Sequence, residues 1–361
     1  MNPLSVLSRK WVELGFNRKP VGIHLLQLLA HVTFALGGTA AYFLFPSLAI
    51  RAAALVVSAY GMIGISTHSH TSSHNATFDA VRWNRALVYL GFPFLAGVSA
   101  NYWWNKHVHV HHPTPNIIGL DDDVDLMPFF ALTRQEAARG GPLLRLWFRI
   151  QGIAVVPALA LNCFNIQKSG WVYLVRAFRV PARRTASPWL DVALLAGHYA
   201  FWLGLPCLFV HPVDVVGFYV FRMFVIGYGM FAVFGPAHFP AQARFVSAEG
   251  ERDRIAYRKS QDFILLQTAT TVNFRTGPIG RLICLGVEFQ LEHHLFPGIS
   301  HVHYPEMSVH LREFCERNGY PYRTIGWWEG CVESVRAFSV LKDVEPRLES
   351  LREPVGEEPA A

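Results

Sequence analysis

Seventeen histidines occur in this chain of 361 residues, and most of them crowd together. They gather at His68, His70 and His74, at His107, His109, His111 and His112, at His238, and at His293 and His294. Neutral imidazole is a frequent ligand for iron, zinc and copper, so pairs drawn from separate segments could enclose a metal. At about 100° per residue on an α-helix, His70 and His74 lie on one face, as do His107 and His111, and each pair can bite one ion. Adjacent His111–His112 and His293–His294 diverge by about 100°, which suits two neighbouring ions better than one. The chemistry expected is therefore that of a two-metal site. His68 and His109 sit two residues from a pair member and point away from it on a helix, so supporting or solvent-facing roles are expected for both. A pH-sensitive surface or adventitious metal binding would explain any one cluster, but not three together.

The elements that position these residues are apolar helices. Hydrophobic residues make up 52% of the chain and charged residues 16%, against about 25% charge in typical soluble domains. Mean hydropathy is +0.23. This composition excludes disorder, a fibrous protein and a small disulfide scaffold. Five widely spaced cysteines, Cys163, Cys207, Cys284, Cys315 and Cys331, contain no C-x-x-C and form neither a disulfide framework nor a zinc ribbon. No Asp, Glu, Lys or Arg stands between Lys19 and Arg51, or between Arg51 and Asp79. Four spans are expected, Val21–Phe45, Leu48–Ser66, Val192–Val210 and Val215–Ala237, each near the ~20 residues that a helix needs to cross a ~30 Å hydrocarbon core. Shorter apolar stretches at 86–100 and 153–164 read as interfacial or re-entrant.

Basic residues are retained on the cytoplasmic side. Arg9, Lys10, Arg18 and Lys19 precede the first span, the segment from His68 to Pro188 is rich in Lys and Arg, and the link His211–Asp214 has none. Both termini and the histidine clusters are therefore expected in the cytoplasm, in a bacterial inner membrane or its equivalent. The net charge of +6 belongs with this topology, and nothing marks a nucleic-acid partner.

Other residues receive structural readings. His24, His31 and His198 lie inside spans, as neutral rings bonded to a neighbouring helix. His211, His301, His303 and His310 are expected at the surface. Arg222 is expected to snorkel outward from the fourth span. Trp103, Trp104, Trp327 and Trp328 fit an interfacial belt, and Asp121–Asp125 a solvated run or helix N-terminus.

The clusters read His70-Thr-Ser-Ser-His74, His107-Val-His-Val-His111-His112 and Gln290-Leu-Glu-His293-His294, the last continuing Leu-Phe-Pro297. With Trp103-Trp104, Pro115-Asn116, Asp121–Asp123 and an isolated His238, these residues resemble the membrane-bound fatty acid desaturase family over roughly residues 20–325. The leading Gln290 is similar to front-end and related acyl-lipid members. The resemblance implies an all-α membrane protein: four transmembrane helices, a cytoplasmic helical cap holding a histidine-rich di-iron site, and a narrow apolar channel. It implies an arm at 1–20, a desaturase-like domain at 21–325 and a cytoplasmic tail at 326–361, with Val344–Ala361 solvated and acidic. The implied ligands are His70, His74, His107, His111, His112, His238, His293 and His294, with weaker claims for His68, His109 and Gln290. Two irons would act with O2 on a long-chain acyl lipid, acyl-CoA or acyl-carrier substrate. With no His-Pro-Gly-Gly haem signature, electrons would come from a separate ferredoxin or cytochrome b-type donor with its reductase. Thr71, Val108, Phe234 and Glu288 depart from frequent family residues and bear on the reaction outcome. Alternatives on the same residues are an acyl or sphingolipid hydroxylase, a carotenoid-modifying oxygenase, and a non-catalytic membrane metal-binding or transport protein. Against the last, transporters place polar ligands near the midplane.

Overall fold

The uncharged stretches fold as four long apolar helices, Val21–Leu44, Leu48–Ser73, Ser187–Leu208 and Pro212–His238, here spans 1 to 4. The computed structural model describes residues 3–180, 186–247, 262–346 and 348–353. Each helix is long enough to cross a hydrocarbon core. Their outward faces carry exposed Leu26, Leu29, Leu48, Val56 and Phe221, a surface suited to lipid rather than water.

Span 2 runs seven residues past its expected end at Ser66, because its last turns are enclosed by protein rather than lipid. The hydroxyls of Ser66, Thr67, Ser69 and Thr71 donate to the carbonyls of Met62, Ile63, Ile65 and Thr67, one turn back. A polar helix end is thereby buried without orphaned hydroxyls. Spans 1 and 2 touch backbone to backbone: a Cβ at Gly61 would stand 2.3 Å from the Ala35 amide nitrogen, and one at Gly38 2.6 Å from that of Ser58. Only glycine permits this approach, which is how apolar helices gain packing energy in lipid.

The shorter apolar stretches take other forms. Val81–Tyr89 is α-helical and continues as a π-helix, Leu90–Ala96, around Pro93. Pro142–Phe148 and Gln151–Ala160 meet at 76° and expose Leu143, Leu146 and Ile153, the form of a re-entrant or interfacial pair. By length and composition alone that pair would count as a fifth span.

Short parallel strands tie the loops outside the spans: β1 (Ile117–Ile118), β2 (Phe245–Ser247), β3 (Asn273–Arg275), β4 (Thr324–Gly326) and β5 (Val344–Glu345). β2 lies between β1 and β5, with Ile117 opposite Val246 and Phe245 opposite Val344; β3 pairs with β4. β1 follows the second histidine cluster and β2 follows His238, so their pairing holds those two segments in register, while β3, which precedes the third cluster, is tied to β4.

The two ends differ from expectation. The arm forms a helix, Pro3–Glu13, whose Leu7 and Trp11, four residues apart, are buried with Phe16. Trp11 meets Phe296 edge-on at 5.8 Å. The segment expected as a tail is built into the fold through residue 353: Trp327–Arg336 packs on span 4, where the Trp327 indole donates to the Ala232 carbonyl at 2.8 Å, and Val344–Glu345 supplies β5. Residues 354–361 lie outside the described residues.

Candidate metal centre

Each histidine segment is presented by a different local structure. The last turn of span 2 carries His70, with His74 at its cap. Span 4 ends at His238, and a short helix, Gln290–Leu295, carries His293 and His294. That helix is anchored by Asn273 of β3, which accepts from the Leu291 amide at 2.9 Å and donates to the Glu292 carboxylate at 2.8 Å.

The second segment, Trp104–His111, is wound as a π-helix rather than an α-helix. In a π-helix the repeat is five residues, not four; the His112 amide donates to the His107 carbonyl at 3.0 Å. His107 therefore also faces His112, with Nε2 atoms 3.1 Å apart. His107 and His111 still stack at 5.3 Å, and with Asp123 they form a further close set.

Two principal groups result. His70, His74, His107, His112 and His293 bring ring nitrogens within 4.8 Å of one another, and so do His111, His238 and His294. Within the first, the Nε2 atoms of His70 and His107 are 2.8 Å apart. His111 and His112 fall in different groups, as do His293 and His294. The stacked rings of His112 and His294, 4.4 Å apart, join the two groups. Gln290 sits beside the smaller group, its Nε2 2.9 Å from Nε2 of His238.

The residues fit metal ions. Nε2 of His74, His293 and His294 is buried without a hydrogen-bond partner, a costly state that a cation among converging lone pairs relieves. Burial, with the charge of His111, pushes His74 down to about 3, and burial likewise lowers His112 and His293. These rings are held neutral, the form that binds metal, and an all-imidazole set suits iron, zinc or copper rather than magnesium or calcium.

The opposite ring nitrogens are oriented by partners that no motif marks. His111 Nδ1 meets Asp121 Oδ2 at 3.0 Å, His294 Nδ1 meets Gln267 Oε1 at 2.8 Å, and His293 Nδ1 lies 3.4 Å from the Tyr304 hydroxyl. Gln267 also donates to the His112 carbonyl. Such contacts fix the tautomer and raise ligand basicity. Burial would lower His111, but Asp121 and Asp123 outweigh it and raise the imidazole. Asp121 is fully buried, contrary to the solvated run expected there, because it also accepts from the amides of Asn116 and Asp123. The one sequence hint to Gln267 is its place as a polar residue in the apolar run Phe263–Thr270.

The remaining expectations divide. His109 is exposed and away from both groups. His68 is buried on the other side of span 2, near His31 and His24, with neither ring nitrogen partnered. His198 bonds as expected to Tyr219 of span 4, whereas His24 bonds to Ser300, outside any helix. His31 has no partner, and His301 is buried rather than at the surface, because it packs on His24 at 4.7 Å. Trp103 and Trp104 are not in an interfacial belt: both indoles donate to Ser73, and Trp103 stacks on His107 at 4.6 Å. Trp327 bonds inward as well, and Trp328 is exposed. Arg222 turns inward, its guanidinium carbon 3.8 Å from the centre of the Trp202 ring. Beneath the histidines lies a narrow apolar cavity, lined by Met62, Ser66, Phe92, Trp103, Ile226 and Met230 among others.

The chain is similar to known proteins over most of its length. Residues 46–326 match the family model described as Fatty acid desaturase. Delta(8)-fatty-acid desaturase 2 of Arabidopsis thaliana is 25% identical over 280 residues, 74% of this chain and 58% of that protein. The sn-1 linoleoyl-lipid 6-desaturase of Synechocystis is 26% identical over 279 residues, 73% of this chain and 72% of that protein. A Delta(5) fatty acid desaturase of Caenorhabditis elegans is 24% identical over 284 residues, 77% and 61%. The chain thus spans less than two thirds of the length of the Arabidopsis and Caenorhabditis relatives.

Proposed function

Because the chain belongs to the fatty acid desaturase family, we propose that it introduces a carbon–carbon double bond into a long acyl chain, using O2 and two irons. The observation that carries this reading is the convergence of buried imidazoles from four chain segments, in two adjoining groups, directly above an apolar cavity. His70, His74, His107, His112 and His293 would hold one iron. His111, His238 and His294 would hold the other, with Gln290 beside it. When bound, the metals supply O2 activation and removal of hydrogens from an unactivated methylene pair.

The protein's own residues do the rest. Asp121 and Gln267 hold the Nδ1 side of His111 and His294, so each ring offers Nε2 inward. Trp103, stacked on His107 and lining the cavity, sets the approach of the chain to the site. The apolar walls orient methylenes and exclude water. Relatives named for linoleoyl-lipid and fatty-acid desaturation support an acyl substrate, whose carrier would be lipid, coenzyme A or carrier protein. Electrons would come from a ferredoxin or cytochrome b-type donor with its reductase. The distribution of Lys and Arg supports a cytoplasmic site and cytoplasmic termini, in a bacterial inner membrane or its equivalent.

Mass spectrometry of acyl lipids from aerobic cells tests this, comparing the intact chain with His294→Ala. The expected product is an acyl species lighter by two hydrogens, present only with the intact chain, from a protein carrying about two irons. A species heavier by one oxygen would replace desaturation with hydroxylation. A pure, active preparation without transition metal would overturn the metal assignment.

A further inference from the structure

Span 4 descends from the histidines along a stripe spaced every four residues: His238, Phe234, Met230, Ile226 and Arg222. Each four-residue step advances about 6 Å and turns about 40°, so the stripe winds around the helix as it places Arg222 roughly 24 Å along the axis from His238. Span 2 continues from His70 in the same way, through Ser66 and Met62. Met230, Ile226, Ser66 and Met62 line the apolar cavity, and Phe234 packs on His70 at 5.6 Å. The cavity therefore lies between the candidate ligands and Ile226, and Arg222 stands one helical turn beyond that lining.

The far end is polar. Arg222 is 1% exposed, and its guanidinium lies against Trp202, Phe218 and Tyr219 at 3.8, 5.1 and 5.7 Å. Its Nε and Nη1 have no hydrogen-bond partner, and among the described residues no carboxylate pairs with it. The Tyr219 hydroxyl beside it is 2.9 Å from His198 Nε2 and accepts from Gln167, which also donates to the Ala96 carbonyl. Ala96 and Cys163 line the cavity. The Arg222 charge reaches the Cys163 thiol, opposing the burial that pushes it up to about 12. Aromatic faces offset only part of the cost of enclosing a cation in a membrane interior; free N–H groups there call for an acceptor.

Resting on the acyl-chain reading above, we propose that the cavity takes chains whose far end carries oxygen, best a carboxylate, and that Arg222 receives it. A guanidinium matches a carboxylate through paired N–H donors, and the aromatic faces hold its plane. A chain ending in a methyl group leaves the same donors unpaired, so Arg222 sets specificity at the end remote from the metals. A site built to bond an oxygen disfavours the analogue that lacks it far more than an apolar pocket discriminates one methylene.

The test is displacement of a fluorescent long-chain acyl ester from the purified full-length protein in detergent. Methyl octadecanoate is compared with monomethyl octadecanedioate, and with shorter and longer homologues of each pair. The monoacid should bind at least about tenfold more tightly at its best length. That advantage should shrink to within about twofold in Arg222→Met and persist in part in Arg222→Lys. Equal binding of both compounds by the intact chain at every length overturns the proposal without recourse to any variant. An undiminished preference in Arg222→Met overturns the role of Arg222, and if that variant does not fold, an undiminished preference in Arg222→Lys does so. Displacement needs no turnover: a preference that holds while no acyl substrate loses hydrogen overturns the desaturase reading and leaves the pocket standing.

Discussion

Span 2 presents histidines to two sides, and the two sides differ in kind. On one, His70 joins seven other imidazoles whose nitrogens converge in two close groups. On the other, the rings run in the order His31, His68, His24 and His301, with centroids 5.3, 6.5 and 4.7 Å apart in turn. Both clusters are buried. In the first, Asp121, Gln267 and Tyr304 stand at the outer nitrogens. In the second, His24 reaches Ser300 and His301 reaches Gln27, His31 and His68 have no partner, and among the described residues no carboxylate faces the row and no three rings close on a point. Histidine density alone does not make a metal centre; converging lone pairs, each backed on the opposite nitrogen, do.

The largest test of that contrast sets His112→Ala against His68→Leu. Removing His112, the ring that joins the two groups, should cost more than about 100-fold in product formation and release bound metal. His68→Leu should keep its metal and raise stability by about 1–3 kcal/mol, since it deletes buried nitrogens that lack partners. Metal content by elemental analysis and thermal unfolding read both, and loss of metal in His68→Leu would erase the distinction. Next come the backing residues. Asp121→Asn and Gln267→Leu should each lower metal affinity by about 10- to 100-fold, measured by competition with a chelator, and unchanged affinity would reduce them to packing.

The smallest effect concerns Glu288, on the loop that leads into Gln290. Burial raises its carboxyl to about 7 from an ordinary 4.5. The folded state therefore keeps a proton that the unfolded chain has already released between those values. Its stabilisation is full below about pH 4.5 and is lost as pH rises through about 7. Glu288→Gln should flatten that part of the dependence of Tm on pH by a few degrees, and parallel curves for variant and parent would show that the carboxyl is ionised throughout.

The spans were legible because lack of charge over some twenty residues is a local property with one physical solution in lipid. The histidine clusters were legible because imidazoles at short intervals are rare enough to mark chemistry. The pairing within His107–His112 was not, since α and π windings differ by one residue per turn and packing decides between them. Asp121 looked like one acid in a solvated run, and its burial depends on amides and a ring that the chain brings to it. Arg222 looked like a snorkelling cation until Trp202 and Tyr219 came to lie on it.

The sequence by itself determined the four spans, the residues able to bind metal and the wide separation of adjacent histidines, all consequences of composition and helical period acting over a few residues. Only the tertiary structure decided which imidazoles share a group, which partners back them, and that the stripe below His238 ends on an enclosed guanidinium. Those outcomes are contacts between segments far apart in the chain, and their free energy resides in burial and hydrogen bonding that neither segment possesses alone.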